Sequence, residues 1–283
     1  MPTLSAITLY PIKSCAGISL QEVTLTSLGL MTEQIYDREW MVVDSNGACL
    51  TQREYPRMAL ITPTIKATTL ELRAPGMLRL EIPLGLPDPA SAPSLTTHIW
   101  DDTVLAYDCD ALTAEWFTKA IGAPCRLVRF HANAERAVST KWTNGVQTST
   151  MFSDGYPILV AGSASLDDLN QKLVAAGRNA LPMNRFRPNL VIDGIDAFEE
   201  DYADSYQLGE VVLKPVKPCP RCPMPSVDQA TGEVGPDPMD IMQSYRAKPE
   251  VEGALCFGMN AILIAGEDQI VRVGQEIEVP LAF

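Results

Sequence analysis

A chain of 283 residues with 46% hydrophobic side chains can bury the core of one large or two medium domains. Its 35 acidic against 22 basic residues leave a formal net charge of −13, which repels nucleic-acid phosphates and anionic lipid. No basic segment followed by an apolar run opens the chain, and no stretch reaches the ~20 apolar residues of a membrane helix. The sequence therefore reads as cytoplasmic, with neither nucleic acid nor a membrane as partner.

In chain order, "AITLYPI", "SLQEVTLTSL" and "REWMVVD" are short, β-branched or aromatic, and partly alternating, which predicts strands. Asn46-Gly47 in "VVDSNGACLT" is a hairpin signal, and "TLELRAPGMLRLEI" predicts a second pair around Pro75-Gly76. "PLGLPDPASAPS" is too rich in proline for regular structure. "DALTAEWFTKAIG" predicts a helix with Asp110 as N-cap, Gly122 as stop, and Leu112, Trp116, Phe117, Ala120 and Ile121 on one face. "SLDDLNQKLVAAG" predicts another, capped by Ser165, with Leu166, Leu169 and Leu173 on its buried side. The tail "AILIAGEDQIVRVGQEIEV" returns to strands. Few helices among many short strands point to an α+β, mostly β, barrel-like protein and not a doubly wound sheet.

No glycine-rich phosphate loop and no H-E-x-x-H motif is present, and the only histidines are His98 and His131. His131 reads as a structural loop residue. Chemistry must then come from a bound cofactor, a thiol or carboxylates. The seven cysteines are odd in number and scattered, as expected of reduced thiols, and Cys49, Cys109, Cys125 and Cys256 sit in apolar or strand-like contexts.

Cys219 and Cys222 differ, lying in "KPCPRCPMPSVDQATG". Three readings stay open. A structural zinc site needs a second ligand pair, which the sequence lacks. A dithiol pair wants a helix N-terminus, against which the prolines at 218, 220, 223 and 225 argue. A single thiolate binding a soft or high-valent metal needs only a stiff loop. Elsewhere, polar residues gather where strands meet turns: Lys13 and Ser14, Arg38, Ser153 and Asp154, Arg187 and Asn189. Singly, each is an ordinary solvent-facing strand end.

Together, "LYPIKSC", "DREWMVVD", "SDGYPILVAGSASLDDLN", "FRPNLVIDG", "CPRCPMPSVDQATG" and "FGMNAILIAG" resemble, in order and over nearly the whole chain, the MOSC family with an N-terminal β-barrel domain. That is the architecture of the mitochondrial amidoxime-reducing component and of bacterial proteins that detoxify N-hydroxylated bases. The resemblance implies an N-terminal β-rich, barrel-like domain over residues 1–120, packed on a MOSC β-barrel with peripheral helices over 121–283. It implies the molybdenum cofactor, a molybdopterin, in the cleft between them, and no pyridoxal phosphate. Cys222 would be the metal ligand and a catalytic residue, with Cys219 merely packed in a tight loop. Lys13, Ser14, Arg38, Arg187 and Arg221 would surround the cofactor, with Ser153, Gly155 and Pro220 at its edge through their backbones. Asn189 would orient Arg187 or meet the pterin, and Asn260 would lie nearby. Asp154 would orient substrate or relay a proton, or else cap its own turn by accepting a backbone N–H.

The implied activity is reduction of N-hydroxylated small molecules: hydroxylamines, amidoximes and N-hydroxylated bases. The chain ends after its last strand without a plant-type iron–sulfur run, so electrons are expected from a separate donor of the ferredoxin, flavodoxin or cytochrome b5 type. Pro225 and Ser226 stand where relatives often have two threonines. Two other functions remain compatible with the residues: a non-catalytic cofactor-binding or sulfur-carrier module, and a dithiol oxidoreductase using Cys219 and Cys222.

Overall fold

The strand Thr3–Leu9 pairs antiparallel on one side with Ile18–Leu20 and on the other with Leu190–Asp193, so the two halves of the chain share a sheet from the outset. The structure, a computed structural model, describes residues 1–33 and 35–282. The shared sheet has eight strands, in the order Tyr206–Leu208, Val211–Pro220, Ala254–Ala265, Ile158–Gly162, Leu190–Asp193, Thr3–Leu9 and Ile18–Leu20, with Ala247–Lys248 added beside Ala254–Ala265. Ile158–Gly162 runs parallel to Leu190–Asp193 because the helix Ser163–Ala175 carries the chain back between them. Among the described residues, three smaller sheets accompany it. Ser94–Ile99, Asp102–Asp108, Arg126–Phe130 and Trp40–Val43 form one. Gln269–Arg272, Glu22–Thr26, Gly29–Thr32 and Ile35–Tyr36 form another. Thr62–Ile65, Thr69–Arg73 and Leu80–Pro83 form the last. The expected mostly β, barrel-like α+β fold is what forms.

The largest core runs through both halves, from Leu4, Ile7 and Leu9 past Trp40, Trp116 and Phe117 to Ile192, Tyr206 and Leu213. The Asn46-Gly47 turn is present: Asp44 accepts N–H bonds from Asn46 and Ala48, each at 2.8 Å. Gly47 is required there, since its φ is +78° and a Cβ would meet the Thr96 carbonyl at 2.5 Å. His131 is buried, stacked on Tyr107 at 4.2 Å, and accepts the Asn133 N–H at 3.0 Å, a structural role. All seven cysteines are free, and burial pushes the Cys15 and Cys256 thiols up to about 12. Among the described residues no helix is long and apolar enough to cross a membrane.

Local expectations needed three corrections. The first helix, Ala111–Ile121, is capped by Asp110 and stopped by Gly122 as expected, but Leu112 is 69% exposed while Thr113 is buried. The second begins at Ser163 after Gly162; Ser165 is buried inside its first turn, donating to Glu200 Oε2 at 2.7 Å and accepting the Phe198 N–H at 2.7 Å. A buried carboxylate has taken the hydroxyl that looked like a cap. Finally, the proline-rich stretch reaching Cys219 is no loop but the end of the strand Val211–Pro220. Proline lacks the N–H a ladder needs, and the strand tolerates it because among the described residues its outer edge is unpaired beyond Leu213 and its register slips between Pro215 and Lys217 and between Pro218 and Pro220.

Candidate functional site

Strand ends from both halves converge on one cleft of about 820 Å³, counting the space at its mouth. Lys13 and Ser14 enter from the turn after Thr3–Leu9, and Arg38 from just before Trp40–Val43. Ser153, Asp154 and Gly155 precede Ile158–Gly162, and Arg187 and Asn189 precede Leu190–Asp193. Pro220, Arg221 and Cys222 follow from Val211–Pro220, with Asn260 beside them on Ala254–Ala265. Every residue singled out from the sequence lines this cleft. Thr51, Arg53, Tyr156, Leu159, Phe186, Cys219 and Met224 line it too, and of these only Cys219 had been marked.

The backbone holds three of these side chains in unusual postures. Ser14, Arg38 and Arg187 have φ of 65°, 51° and 55°, left-handed values that a side chain larger than glycine resists. Beneath them lies a buried polar network. Asp37 accepts the Tyr10 N–H at 2.8 Å and Asn189 Nδ2 at 3.0 Å, and pairs with Arg38. Burial pushes the Asp37 carboxyl up in pKa, against the pull of Arg38. Arg38 in turn donates to Asn189 Oδ1 at 3.0 Å and to the Arg187 carbonyl at 3.3 Å. Asn189 thus orients Arg38 rather than Arg187. The guanidinium groups of Arg38 and Arg187 lie 4.4 and 4.2 Å from the Tyr10 ring centre.

Arg187 is only weakly satisfied. Its Nη1 reaches Gln229 Oε1 at 3.5 Å, and its buried Nη2 has no partner among the described residues. Burial, with Arg38 nearby, lowers its pKa. Asp154 has the opposite surroundings. Desolvation in the cleft opposes its ionisation, but Lys13, Arg53 and Arg38 outweigh that and hold its carboxyl well below the usual range. Its carboxylate accepts from Lys13 Nζ at 2.5 Å, and Lys13 also donates to the Phe152 carbonyl at 2.9 Å. The turn itself is fixed by Arg136, which donates to the carbonyls of Ser153 and Asp154 at 2.5 and 3.1 Å.

Each cysteine of the pair has its own guanidinium. Arg221 Nη1 donates to Cys219 Sγ at 3.0 Å, and Arg53 Nε donates to Cys222 Sγ at 3.1 Å. Arg221 is tied down through Nη2 to the Phe186 carbonyl at 2.5 Å, and Asn260 donates to the Lys217 carbonyl at 3.2 Å. Among the described residues no group of three or more His, Cys, Asp or Glu side chains comes together, so a metal here would have to bring most of its ligands with it. Five cationic side chains and one carboxylate face the cleft of a strongly acidic protein. Such a cleft concentrates anions.

Residues 1–124 match the MOSC N-terminal beta barrel domain, and residues 147–278 match the MOSC domain. The chain is 35% identical over 250 residues to mitochondrial amidoxime reducing component 2 of Rattus norvegicus, covering 86% of this chain and 72% of that protein. To the protein of the same name from Homo sapiens it is 35% identical over 248 residues, again 86% of this chain and 72% of that one. It is also 32% identical over 255 residues to the molybdenum cofactor sulfurase of Bos taurus, 85% of this chain but 28% of that longer protein. With both domains matched in order, and with amidoxime reducing components this similar over 72% of their length, the chain belongs to the MOSC family and carries its N-terminal β-barrel domain.

Proposed function

We propose that the chain reduces N-hydroxylated compounds, such as hydroxylamines, amidoximes and N-hydroxylated bases, with a molybdenum cofactor held in this cleft and Cys222 as its protein ligand. The names of the amidoxime-reducing relatives support the substrate class. The observation that carries the reading is the convergence, around the half-buried Cys222, of cations drawn from both halves of the chain. The residues suit the group. Arg187 offers a buried N–H with no partner among the described residues, in keeping with a phosphate or pterin oxygen as partner. Cys222 offers a soft sulfur donor at the cleft surface, whereas Cys15 and Cys256 are sealed in the core.

When bound, the molybdenum would supply the two-electron chemistry. The reaction balances as R–NHOH plus two electrons and two protons giving R–NH2 and water, with the electrons from a separate donor protein. Arg38, oriented by Asn189, and Arg187 would hold the anionic cofactor, both stacked on Tyr10. Asp154, ionised and fixed by Lys13, would accept a hydrogen bond from the N-hydroxyl group and so orient it. As an ionised group it is an acceptor, not a proton store.

The test is molybdenum content, together with hydroxylamine and amidoxime reduction by an artificial electron donor, in protein from a host that makes the cofactor. The expected result is metal and turnover in the wild type and in Cys219→Ala, and loss of turnover by at least about 100-fold in Cys222→Ala. Equal losses in both variants with no metal bound would favour the dithiol reading. The similarity to a segment of a molybdenum cofactor sulfurase favours a second reading, a cofactor or sulfur carrier. Full metal occupancy without any turnover would establish that instead.

A further inference from the structure

We infer that Arg53 is the positioning residue for the Cys222 sulfur and that Trp100 exists to hold Arg53. The contact is independent of any cofactor; its consequence for the metal rests on the function proposed above. Arg53 lies in the segment before the short helix Pro56–Leu60, in the opposite half of the chain from Cys222, yet its Nε donates to Cys222 Sγ at 3.1 Å. Its guanidinium carbon sits 4.6 Å from the Trp100 ring centre, and its Nη2 is 4.0 Å from Asp154 Oδ2. Lys13, which holds the other oxygen of Asp154, lies 5.6 Å from the same ring.

Trp100 is hard to explain otherwise. It is 47% exposed and so adds little to the core. It occupies the first position of a two-residue hairpin turn, between paired Ile99 and Asp102, with φ of +54°. Glycine or asparagine is the ordinary occupant of such a position, and a bulky aromatic residue there is strained. A large ring placed in water on an unfavourable backbone makes sense as a platform for the two cations over it.

An arginine has several directions in which to point. Ring below, carboxylate to one side and sulfur ahead leave Arg53 one. An N–H donated to a sulfur fixes that sulfur's direction and draws electron density from it, which is how hydrogen bonds around a metal-bound thiolate tune the metal.

Two measurements test this, and they fail separately. In unloaded protein, the Arg53 Nε–H resonance, identified by its disappearance in Arg53→Lys, is expected to shift in both Cys222→Ala and Trp100→Ala and to stay near its wild-type position in Trp100→Phe. A resonance indifferent to Cys222→Ala and Trp100→Ala overturns the inference, whatever the protein's activity. In molybdenum-loaded protein, Arg53→Lys is expected to keep its metal while kcat for hydroxylamine falls about ten-fold, with KM little changed and the paramagnetic signal of the reduced metal altered. A wild-type signal and kcat in that variant overturns the tuning. If wild-type protein takes up no molybdenum, the proposed function fails while the resonance measurement still decides the Arg53 contact.

Discussion

Arg187 is a residue the fold accommodates at a cost. Its backbone is left-handed, its charge is buried beside another arginine, and one of its nitrogens has no partner among the described residues. An unsatisfied buried donor costs about 1–3 kcal/mol, so Arg187→Met is expected to stabilise the unloaded protein by an amount of that order. The same variant should lose molybdenum. Urea unfolding of the unloaded protein and metal analysis of the loaded protein check the two halves of this expectation. A residue that lowers stability while facing a cleft has a reason to be there other than folding. Most of the site was legible one residue at a time because Lys13, Arg38, Asp154 and Arg187 stand where apolar strands begin or end, and polar residues there interrupt a clear pattern. Arg53 and Trp100 were not. Arg53 adjoins no strand, Trp100 looks like part of its hairpin, and their meaning lies in contacts with Cys222 and with each other, far apart in sequence.

Among elements, the helix Ala111–Ile121 shows what local signals carry. Asp110 accepts the Thr113 N–H at 2.8 Å, the contact its position implied. Asp110→Ala should lower stability by about 1 kcal/mol in thermal or urea unfolding, and Asp110→Gly by less. Glycine loses the cap too, but it relaxes a residue whose φ is 106°. The exposure of Leu112 and the recruitment of Ser165 by Glu200 depend on what packs alongside each helix, which periodicity does not encode. Likewise, the prolines around Cys219 read as a stiff loop and not as the end of a strand, because the edge unpaired among the described residues and the register slips beside those prolines are properties of the assembled sheet.

At the scale of the molecule, the order of the two domain matches along the chain does not describe how the sheets are built. Thr3–Leu9 and Ile18–Leu20 extend the sheet of the second half, and Gln269–Arg272 near the end of the chain pairs with Glu22–Thr26. Residues 121–283 produced alone are therefore expected to be poorly folded and prone to self-association, with the Leu190–Asp193 edge stripped of its partner. Circular dichroism and size-exclusion chromatography of the fragment, with and without added residues 1–120, would show it; a monomeric, cooperatively unfolding fragment would contradict it. Such long-range pairing is invisible to local patterns, whereas the mostly β character was plain from them.

The contrast between an acidic exterior and a cationic cleft makes ionic strength act over two lengths. Far from the protein, mobile ions shield an approaching anion from a repulsive field and ease its arrival. Within the cleft, the arginines and the lysine grip at contact range, where shielding is weak and the hold outlasts it. Brine, on this view, opens the approach before it loosens the grasp.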